Sequence, residues 1–339
     1  MSFLLGQFII FYMNFFDWIQ NRTERKLTEK KAKKLYKKEN RTFLSEVVDW
    51  LDAIVFAVFV VLLINQFIFQ LFVIPSPSML ETLQIGDRVS VSKMTYGIEL
   101  WPEGPKVLNS REPQRDEIIT FYNPELEKKS TFFDIMSKII YMGTFSLVNI
   151  DRDENGDVRE SLLVKRTAAV AGDTVTFRNG QAYIKAGGTS DYVNEADFRS
   201  KNGFSTAPHT TIEPSVYKAY NAQGVLEGLH SKGLNSLTYP RHLLNDYKTM
   251  NNSAFYTDYY EYSRHYYQGQ RIADPTDMEA RSNWAKMTIG LYVPDGYVLP
   301  LGDNRDNSSD GRYFGPVPVD KVNGHVKTRI WPLNNVGSL

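Results

Sequence analysis

One uncharged apolar run constrains the fold of this chain more than any other feature. Residues 53–74, AIVFAVFVVLLINQFIFQLFVI, form 22 consecutive positions without a charge. At about 1.5 Å per residue, a helix of that length reaches about 33 Å, which exceeds the roughly 30 Å hydrocarbon core of a bilayer. Residues 53–74 therefore predict a transmembrane helix.

A basic segment precedes this run and predicts its orientation. Residues 20–41 contain ten Lys and Arg residues and three Glu. Cytoplasmic flanks of membrane spans are enriched in Lys and Arg, so we expect residues 20–52 in the cytoplasm and everything after Ile74 outside. The rest of the chain has 29 basic and 36 acidic residues, a net charge of −7, which argues against a nucleic-acid surface.

Two further apolar stretches are shorter. Residues 3–19, FLLGQFIIFYMNFFDWI, have neither a basic start nor a small-residue cleavage site, so we expect no cleavable signal. A short first span and an interfacial helix both fit, and we favour the span. Residues 132–147, FFDIMSKIIYMGTFSL, contain two charges and predict a helix that either packs on the core or lies in the membrane surface, and we favour packing on the core.

The chain after residue 85 has the pattern of a β protein. Short β-branched or aromatic runs end at Gly, Pro, Asp or Asn, which predicts an antiparallel or barrel-like sheet. These runs are residues 87–97, 116–124, 162–177 and 296–304. Residues 184–290 instead are polar and contain 11 of the 20 tyrosines, which favours an inserted satellite domain over an aromatic binding surface.

Two serines lie between prolines directly after the apolar run, in VIPSPSMLETL. Pro75 and Pro77 fix their own φ and bias the preceding residues toward extended backbone. We therefore expect Ser76 and Ser78 on a stiff, extended segment, unlike a flexible Gly/Ser-rich linker. Such a segment holds hydroxyl groups still.

The composition narrows the possible chemistry. The chain has no Cys, which excludes thiol catalysis, disulfides and Cys-based metal sites, and it contains no H-E-x-x-H or G-x-S-x-G motif. Lys165 lies in the apolar β run LLVKRTAAVAGD. A lysine there either points to solvent or points inward, where burial lowers its pKa so that a neutral amine can accept a serine proton.

Residues 300–318, PLGDNRDNSSDGRYFGPVP, form the third unusual element. They contain more small polar residues and turn formers than an ordinary strand end. Charges of both signs lie close together, at Asp303, Arg305, Asp306, Asp310 and Arg312. This pattern predicts a loop with internal salt bridges that positions another group.

Together these blocks resemble the bacterial type I signal peptidases. P-S-P-S-M-L-E-T-L followed by G-D-R-V is similar to the family's nucleophile box, V-K-R with a following G-D to its lysine box, and G-D-N-R-D-N-S-S-D-G-R to its C-terminal box. R-D-E-I-I-T-F matches a further family strand, with Asp116 where glycine is usual. The blocks occur in family order, whereas residues 122–160 and 184–290 are poorly covered.

The resemblance implies roles for individual residues. Ser78 would be the nucleophile and Lys165 the general base, and the Ser76 hydroxyl with the Ser78 backbone N–H would bind the oxyanion. Ser308 would hold the lysine amine in line. The remaining implied residues, which would shape the site, are Asp303, Arg305, Asp310 and Arg312. Two positions depart from the family: Pro77 stands where glycine is frequent, and Gly311 replaces a usual serine.

The resemblance also implies a fold and a function. The fold would be mainly β, with one or two N-terminal membrane helices followed by a catalytic antiparallel β domain that carries a large inserted second domain. The predicted boundaries are 1–19 (first membrane or interfacial segment), 20–52 (cytoplasmic), 53–74 (transmembrane helix), 75–183 and 291–339 (catalytic domain) and 184–290 (insertion). The enzyme would need no metal or cofactor and would lie in the bacterial inner membrane, with its catalytic domain on the outer face.

The implied reaction is removal of signal peptides from translocated preproteins, cutting after small residues at the first and third positions before the bond. The implied partners are those signal peptides, membrane lipid and the translocation machinery. Two alternatives share some of these features: a Ser/Lys autoprotease, and a non-enzymatic anchored protein that binds through the Tyr-rich region. The membrane segment and the long C-terminal box weigh against the first, and the joint presence of Ser78, Lys165 and Ser308 weighs against the second.

Overall fold

The description of the fold covers most of the chain. The computed structural model describes residues 18, 20–33, 35–36, 42–108, 111–126, 130–143, 148, 150–152, 156, 159, 161–204, 208–210, 212–213, 215–249 and 258–339. The chain divides into two compact units, Met1–Val60 and Val61–Leu339. The candidate site lies wholly in the second unit. The prediction for residues 3–19 lies outside the described residues apart from Trp18.

The helices and strands follow one another along the chain with these bounds. The helices are α1 (20–33), α2 (Phe43–Phe67), α3 (Thr131–Gly143), α4 (Glu195–Lys201), α5 (Tyr217–Ser231), α6 (Arg241–Lys248), α7 (Tyr259–Ala273), α8 (Met278–Ile289) and α9 (Gly311–Phe314). The strands are β1 (Phe69–Val73), β2 (Arg88–Ser92), β3 (Ile98–Glu99), β4 (Lys106–Val107), β5 (Ile118–Tyr122), β6 (Leu162–Val170), β7 (Thr174–Arg178), β8 (Gln181–Lys185), β9 (Val193–Asn194), β10 (Leu291–Tyr292), β11 (Tyr297–Leu301), β12 (Val317–Pro318), β13 (Val322–Trp331) and β14 (Gly337–Ser338).

The apolar run forms a helix and a strand, not one long helix. Among the described residues, α2 is the one helix long and apolar enough to cross a membrane, and its 25 residues span about 37 Å. The predicted helix 53–74 is wrong at its C-terminal end, because α2 ends at Phe67. At its other end α2 begins earlier, at Phe43. Residues Phe69–Val73 instead pair with β2, from Phe69 opposite Ser92 to Val73 opposite Arg88. A run of uncharged residues does not distinguish a membrane helix from an apolar edge strand.

The predicted helix after residue 131 is present as α3. Its large side chains Phe132, Ile135 and Ile139 are exposed, with 74%, 37% and 43% of their surface accessible. This contradicts packing of these side chains on the core. The alternative of a helix in the membrane surface stays a prediction, and residues 144–147 lie outside the described part.

The main sheet carries the candidate site. It has eight strands in the order β1-β2-β13-β5-β6-β11-β12, with β14 paired to β13, and its neighbouring strands are antiparallel. The central strand β5 is buried throughout, and β6 is buried from Lys165 to Ala169 and half-buried at its ends. The predicted antiparallel β fold is therefore confirmed.

The insertion is mainly helical and lies in the same compact unit as the sheets. A second sheet, β10-β7-β8-β9, packs against it through a core that includes Phe177 and Tyr260. Helices α5 and α7 approach so closely that a Cβ at Gly228 would lie 2.1 Å from the Tyr266 carbonyl oxygen, which only glycine avoids. Tyr217, Tyr220 and Tyr260 are buried, as expected for tyrosines that build a core.

Candidate active site

The nucleophile segment begins where β1 ends. Ser76 is extended, with φ −129° and ψ 160°, as predicted, but Pro77–Met79 form a single helical turn. The expectation that Ser78 is also extended is therefore wrong. The reason lies in Pro77, whose fixed φ suits the first position of a helical turn as well as an extended chain. The turn is closed by a hydrogen bond from the Leu80 amide to the Pro77 carbonyl, 3.1 Å long.

Ser78 and Lys165 meet in the interior. Lys165 lies in the middle of β6, opposite Ile119 of β5, and only 3% of its surface is exposed. Its Nζ donates a 2.8 Å hydrogen bond to Ser78 Oγ, and Ser78 itself is 7% exposed. The sequence left open whether Lys165 points inward, and in the structure it does. Burial disfavours the charged ammonium, so this is an environment in which a lysine amine can accept a proton.

Ser76 lies beside the nucleophile. Its hydroxyl is 3.3 Å from Ser78 Oγ, close enough for a hydrogen bond in either direction. This arrangement brings both hydroxyls and the lysine amine together where the helical turn meets β6. The Ser76 hydroxyl is therefore near the place where an oxyanion would form on a carbonyl that Ser78 attacks.

The loop after β11 covers the nucleophile turn from the other side. The Asn304 amide donates a 3.0 Å hydrogen bond to the Ser78 carbonyl, and its side-chain Nδ2 donates to the Pro77 carbonyl at 3.1 Å. Gly302 is equally close, because a Cβ there would lie 2.7 Å from the Ser78 carbonyl oxygen. The predicted loop therefore contacts the nucleophile mainly through backbone groups.

Arg166 connects three parts of the site and was not predicted as a site residue. As expected from strand alternation, it points away from Lys165. Its guanidinium donates to both carboxylate oxygens of Asp303, at 2.8 and 2.7 Å, and to Thr82 Oγ1 at 3.0 Å. Burial alone lowers the pKa of Arg166, but the bonds with Asp303 and the charge of Asp116 outweigh it and raise that pKa. The Arg166–Asp303 ion pair therefore fixes the loop to β6.

The loop is only partly paired within itself, which corrects the prediction of an internally salt-bridged loop. Asp310 and Arg312 do pair, at 2.9 Å, and the Gly302 amide donates to Asp310 at 2.9 Å. Burial raises the pKa of Asp310, but the Arg312 charge and hydrogen bonds reverse this and hold it below its usual value. Arg305 instead makes a two-bond ion pair with Glu195 of the insertion.

Ser308 does not make the contact that the resemblance implies. Its Oγ is buried and has no hydrogen-bond partner among the described residues, so it does not hold the Lys165 amine here. Its side chain packs against Gly302, where a Cβ would lie 2.2 Å from Ser308 Oγ. Its role toward Lys165 stays a prediction.

Several residues of the site were missed because their partners lie far away in sequence. Thr82 Oγ1 donates to Asp303 at 2.6 Å, across 221 residues, and Asn304 bonds to Pro77 across 227. Thr82 and Asn304 both lie in sequence blocks that resemble the family, but nothing in the sequence indicated which residues they contact. Glu195 carried no signal at all. In the part of the chain that the structure describes, no three His, Asp or Glu side chains are arranged to hold a metal ion.

Comparison with known proteins matches most of this chain to one peptidase family. The family described as signal peptidase, peptidase S26, matches residues 47–331. Signal peptidase I of Buchnera aphidicola subsp. Schizaphis graminum is 26% identical over 276 residues, 80% of this chain and 71% of that protein. Signal peptidase I of Haemophilus influenzae is 25% identical over 290 residues, 85% of this chain and 70% of that protein.

Two other matches are weaker. Mitochondrial inner membrane protease subunit 1 of Mus musculus is 35% identical over 98 residues, 23% of this chain and 59% of that protein. The solved structure of a signal peptidase I from Enterococcus faecalis V583 covers 64% of this chain and 97% of its own, at 18% identity and a TM-score of 0.23. That TM-score is too low to support an argument about the fold.

The protein is thus a serine peptidase, a hydrolase whose family removes signal peptides. The chain belongs to the signal peptidase family, peptidase S26, because the family matches most of its length. Members of the signal peptidase I family are bound to the bacterial inner membrane. The resemblance drawn from the sequence blocks is confirmed at this level.

Proposed function

We propose that this peptidase cleaves signal peptides with a Ser78–Lys165 dyad through an acyl-enzyme. The observation that carries the proposal is the 2.8 Å separation of Lys165 Nζ and Ser78 Oγ, on two buried side chains. A nucleophile and its base within hydrogen-bond reach are the geometry that proton transfer requires. No other Ser–Lys pair of this kind was predicted from the sequence.

The reaction begins with the neutral amine of Lys165. Lys165 accepts the Ser78 hydroxyl proton while Oγ forms a bond to the carbonyl carbon of the scissile peptide. The resulting oxyanion is bound by the Ser76 hydroxyl and the Ser78 amide, and one good donor is worth about 3–4 kcal/mol of barrier. The protonated lysine then donates its proton to the leaving amine as the C–N bond breaks. Finally, Lys165 activates a water molecule that releases the acyl group and restores Ser78.

The loop of residues 302–312 supports the geometry of this reaction. Asp303 holds Arg166 next to the base, Asn304 bonds to the nucleophile turn, and the Asp310–Arg312 pair fixes the Gly302 amide. Ser308 completes the packing against Gly302. By resemblance to the family, the substrate carries small residues at the first and third positions before the cut.

We also propose an orientation in the membrane. The apolar helix α2 anchors the chain, and the basic residues of 20–41 favour a cytoplasmic position for α1. The catalytic part then lies on the outer face, where translocated preproteins emerge. Membrane lipid and the translocation machinery are the partners that this location implies.

The test of the dyad is cleavage of a preprotein by the full chain in detergent micelles. Ser78→Ala removes the nucleophilic oxygen, so we expect no cleavage above background with normal thermal unfolding. Ser282→Ala, an exposed serine of α8, serves as the matched control and should be fully active. Cleavage by Ser78→Ala at a rate comparable to that of the control would refute the nucleophile.

A further inference from the structure

Helix α4 of the insertion has two buried charged side chains, which is unusual because most charged side chains are exposed. It begins at an Asn194 cap, whose side chain accepts a 2.9 Å hydrogen bond from the Ala196 amide. Glu195 and Arg199 are four residues apart and so share one side of the helix. Both are buried, at 3% and 5% exposure, while Asp197 on the same helix is exposed.

Glu195 is connected to the nucleophile turn through the loop after β11. Its carboxylate forms two hydrogen bonds with the guanidinium of Arg305, and Arg305 is only 1% exposed. The same guanidinium donates from Nε to the Gly302 carbonyl at 2.8 Å. Asn304 donates to the Ser78 carbonyl, and Gly302 lies so close to it that an added Cβ would be 2.7 Å away. Through Arg305, Glu195 is therefore linked to the loop that contacts the nucleophile turn.

Arg199 is connected to the strand of the general base. Its Nη2 donates to Asp116 Oδ1 at 2.5 Å, and the same oxygen accepts from Arg166 at 3.0 Å. Arg166 directly follows Lys165 on β6. The two guanidinium groups therefore share one carboxylate, and this carboxylate joins the insertion to the base-bearing strand.

The backbone conformation of Asp116 is one that residues other than glycine seldom adopt. Asp116 has a φ of +72°, in the left-handed region that favours glycine. A non-glycine residue persists in such a conformation only when its surroundings fix it. Here the fixing contacts are those with Arg166 and Arg199, together with the 2.9 Å bond from the Asp116 amide to Thr167.

We propose that α4 is a positioning element of the active site. Glu195 holds the loop of residues 302–306 against Ser78 through Arg305, and Arg199 holds β6 and Lys165 through Asp116. The two ends of this charged network are the two halves of the dyad, so α4 sets the Ser78–Lys165 distance. This inference rests on the proposed Ser78–Lys165 dyad.

The test compares kcat and KM for a peptide that spans a signal cleavage site, with the full chain in detergent micelles. The variants are Glu195→Gln and Arg199→Gln, and the matched controls on the exposed side of α4 are Asp197→Asn and Lys201→Gln. Activity is expressed per folded enzyme, from the amplitude of the thermal transition. Since a misplacement of about 1 Å can cost about 10²-fold in rate, we expect kcat to fall about 10-fold or more while KM changes less than about twofold.

A second readout separates positioning from simple stabilisation. Release of β6 lets water reach Lys165, so the rising limb of kcat/KM against pH should move to higher pH in Arg199→Gln. Glu195→Asp keeps the charge on a shorter side chain and should recover part of the lost kcat. If Glu195→Gln does not fold, Glu195→Asp and Arg199→Gln decide the question by the same two readouts.

The outcomes distinguish this inference from the proposed function. If both variants keep the kcat and pH limb of their controls and lose only thermal stability, α4 is not a positioning element. That result leaves the dyad intact. If Ser78→Ala itself cleaves the peptide, the proposed dyad is wrong, and the inference that α4 sets the Ser78–Lys165 distance is overturned with it.

Discussion

Gly302→Ala tests how tightly the C-terminal loop packs on the nucleophile. A Cβ at residue 302 would lie 2.2 Å from Ser308 Oγ, 2.5 Å from Ser308 Cβ and 2.7 Å from the Ser78 carbonyl oxygen, and real Cβ contacts essentially never fall below 3.0 Å. Rotation of the Ser308 hydroxyl relieves the first contact only. The Gly302 amide is itself fixed by its bond to Asp310, so the strain passes to Ser78.

The expected size of the effect follows from these distances. The contact with the Ser78 carbonyl must open from 2.7 Å to 3.0 Å, a shift of at least 0.3 Å, and the contact with Ser308 Cβ must open further. Overpacking of this kind costs about 1–3 kcal/mol of stability. A displacement of about 1 Å costs about 10²-fold in rate, so we expect kcat to fall by about 10-fold to 10²-fold.

The assay is kcat for a signal-sequence peptide, with thermal unfolding measured in the same detergent. Gly337→Ala in β14 is the matched control, because a Cβ there meets no atom within 4 Å. We expect the control to keep wild-type kcat. A Gly302→Ala enzyme with kcat within about twofold of the control would show that the loop does not constrain Ser78, and the packing argument would be wrong.

Three other predictions concern separate features. Ser76→Ala should lower kcat by about 10²–10³-fold if its hydroxyl is an oxyanion donor, whereas an unchanged kcat would leave that role to backbone groups. Burial lowers the pKa of Lys106 from 10.5 to about 8, so between those pH values the unfolded chain binds a proton that the folded chain does not. The free energy of unfolding should therefore rise with pH in this range, by up to about 1.4 kcal/mol per pH unit. In Lys106→Met, denaturation at several pH values should show a smaller rise. Equal slopes in wild type and variant would contradict this. Protease added outside sealed spheroplasts should cut within residues 76–339 and spare 20–46, and digestion of the basic segment would invert the proposed topology.

The sequence predicted the local parts of the site well. Ser78, Ser76 and Lys165 each lie in a short block whose residue types restrict its backbone or its burial, and the structure brings the three together. The antiparallel sheet was also predictable, because alternating and β-branched runs depend on local pattern. The local pattern did not decide whether Phe69–Val73 form a helix or a strand. These residues continue the apolar run, but they pair with β2 and form a strand.

The charged contacts of the site were not predictable from the sequence. Arg166 and Asp303 are 137 residues apart, and Arg305 and Glu195 are 110 apart, so their pairing depends on the sheet order and on how the insertion packs. The sequence showed Asp116 as a departure from the family pattern, but only the structure shows that its carboxylate binds Arg199. Single-sequence patterns identify a charged residue without identifying its partner.

The pH dependence of kcat/KM in wild type and Lys165 variants tests the central claim most directly. A free lysine has a pKa near 10.4 and is protonated at neutral pH, whereas burial disfavours that charge, so kcat/KM should rise with pH through a limb below about 10.4. Lys165→Ala and Lys165→Arg should be inactive, because a guanidinium does not give up its proton, while Lys327→Arg on the exposed side of β13 should match wild type. Near-normal turnover by Lys165→Arg would contradict the account, since lysine would then not be the base that activates Ser78.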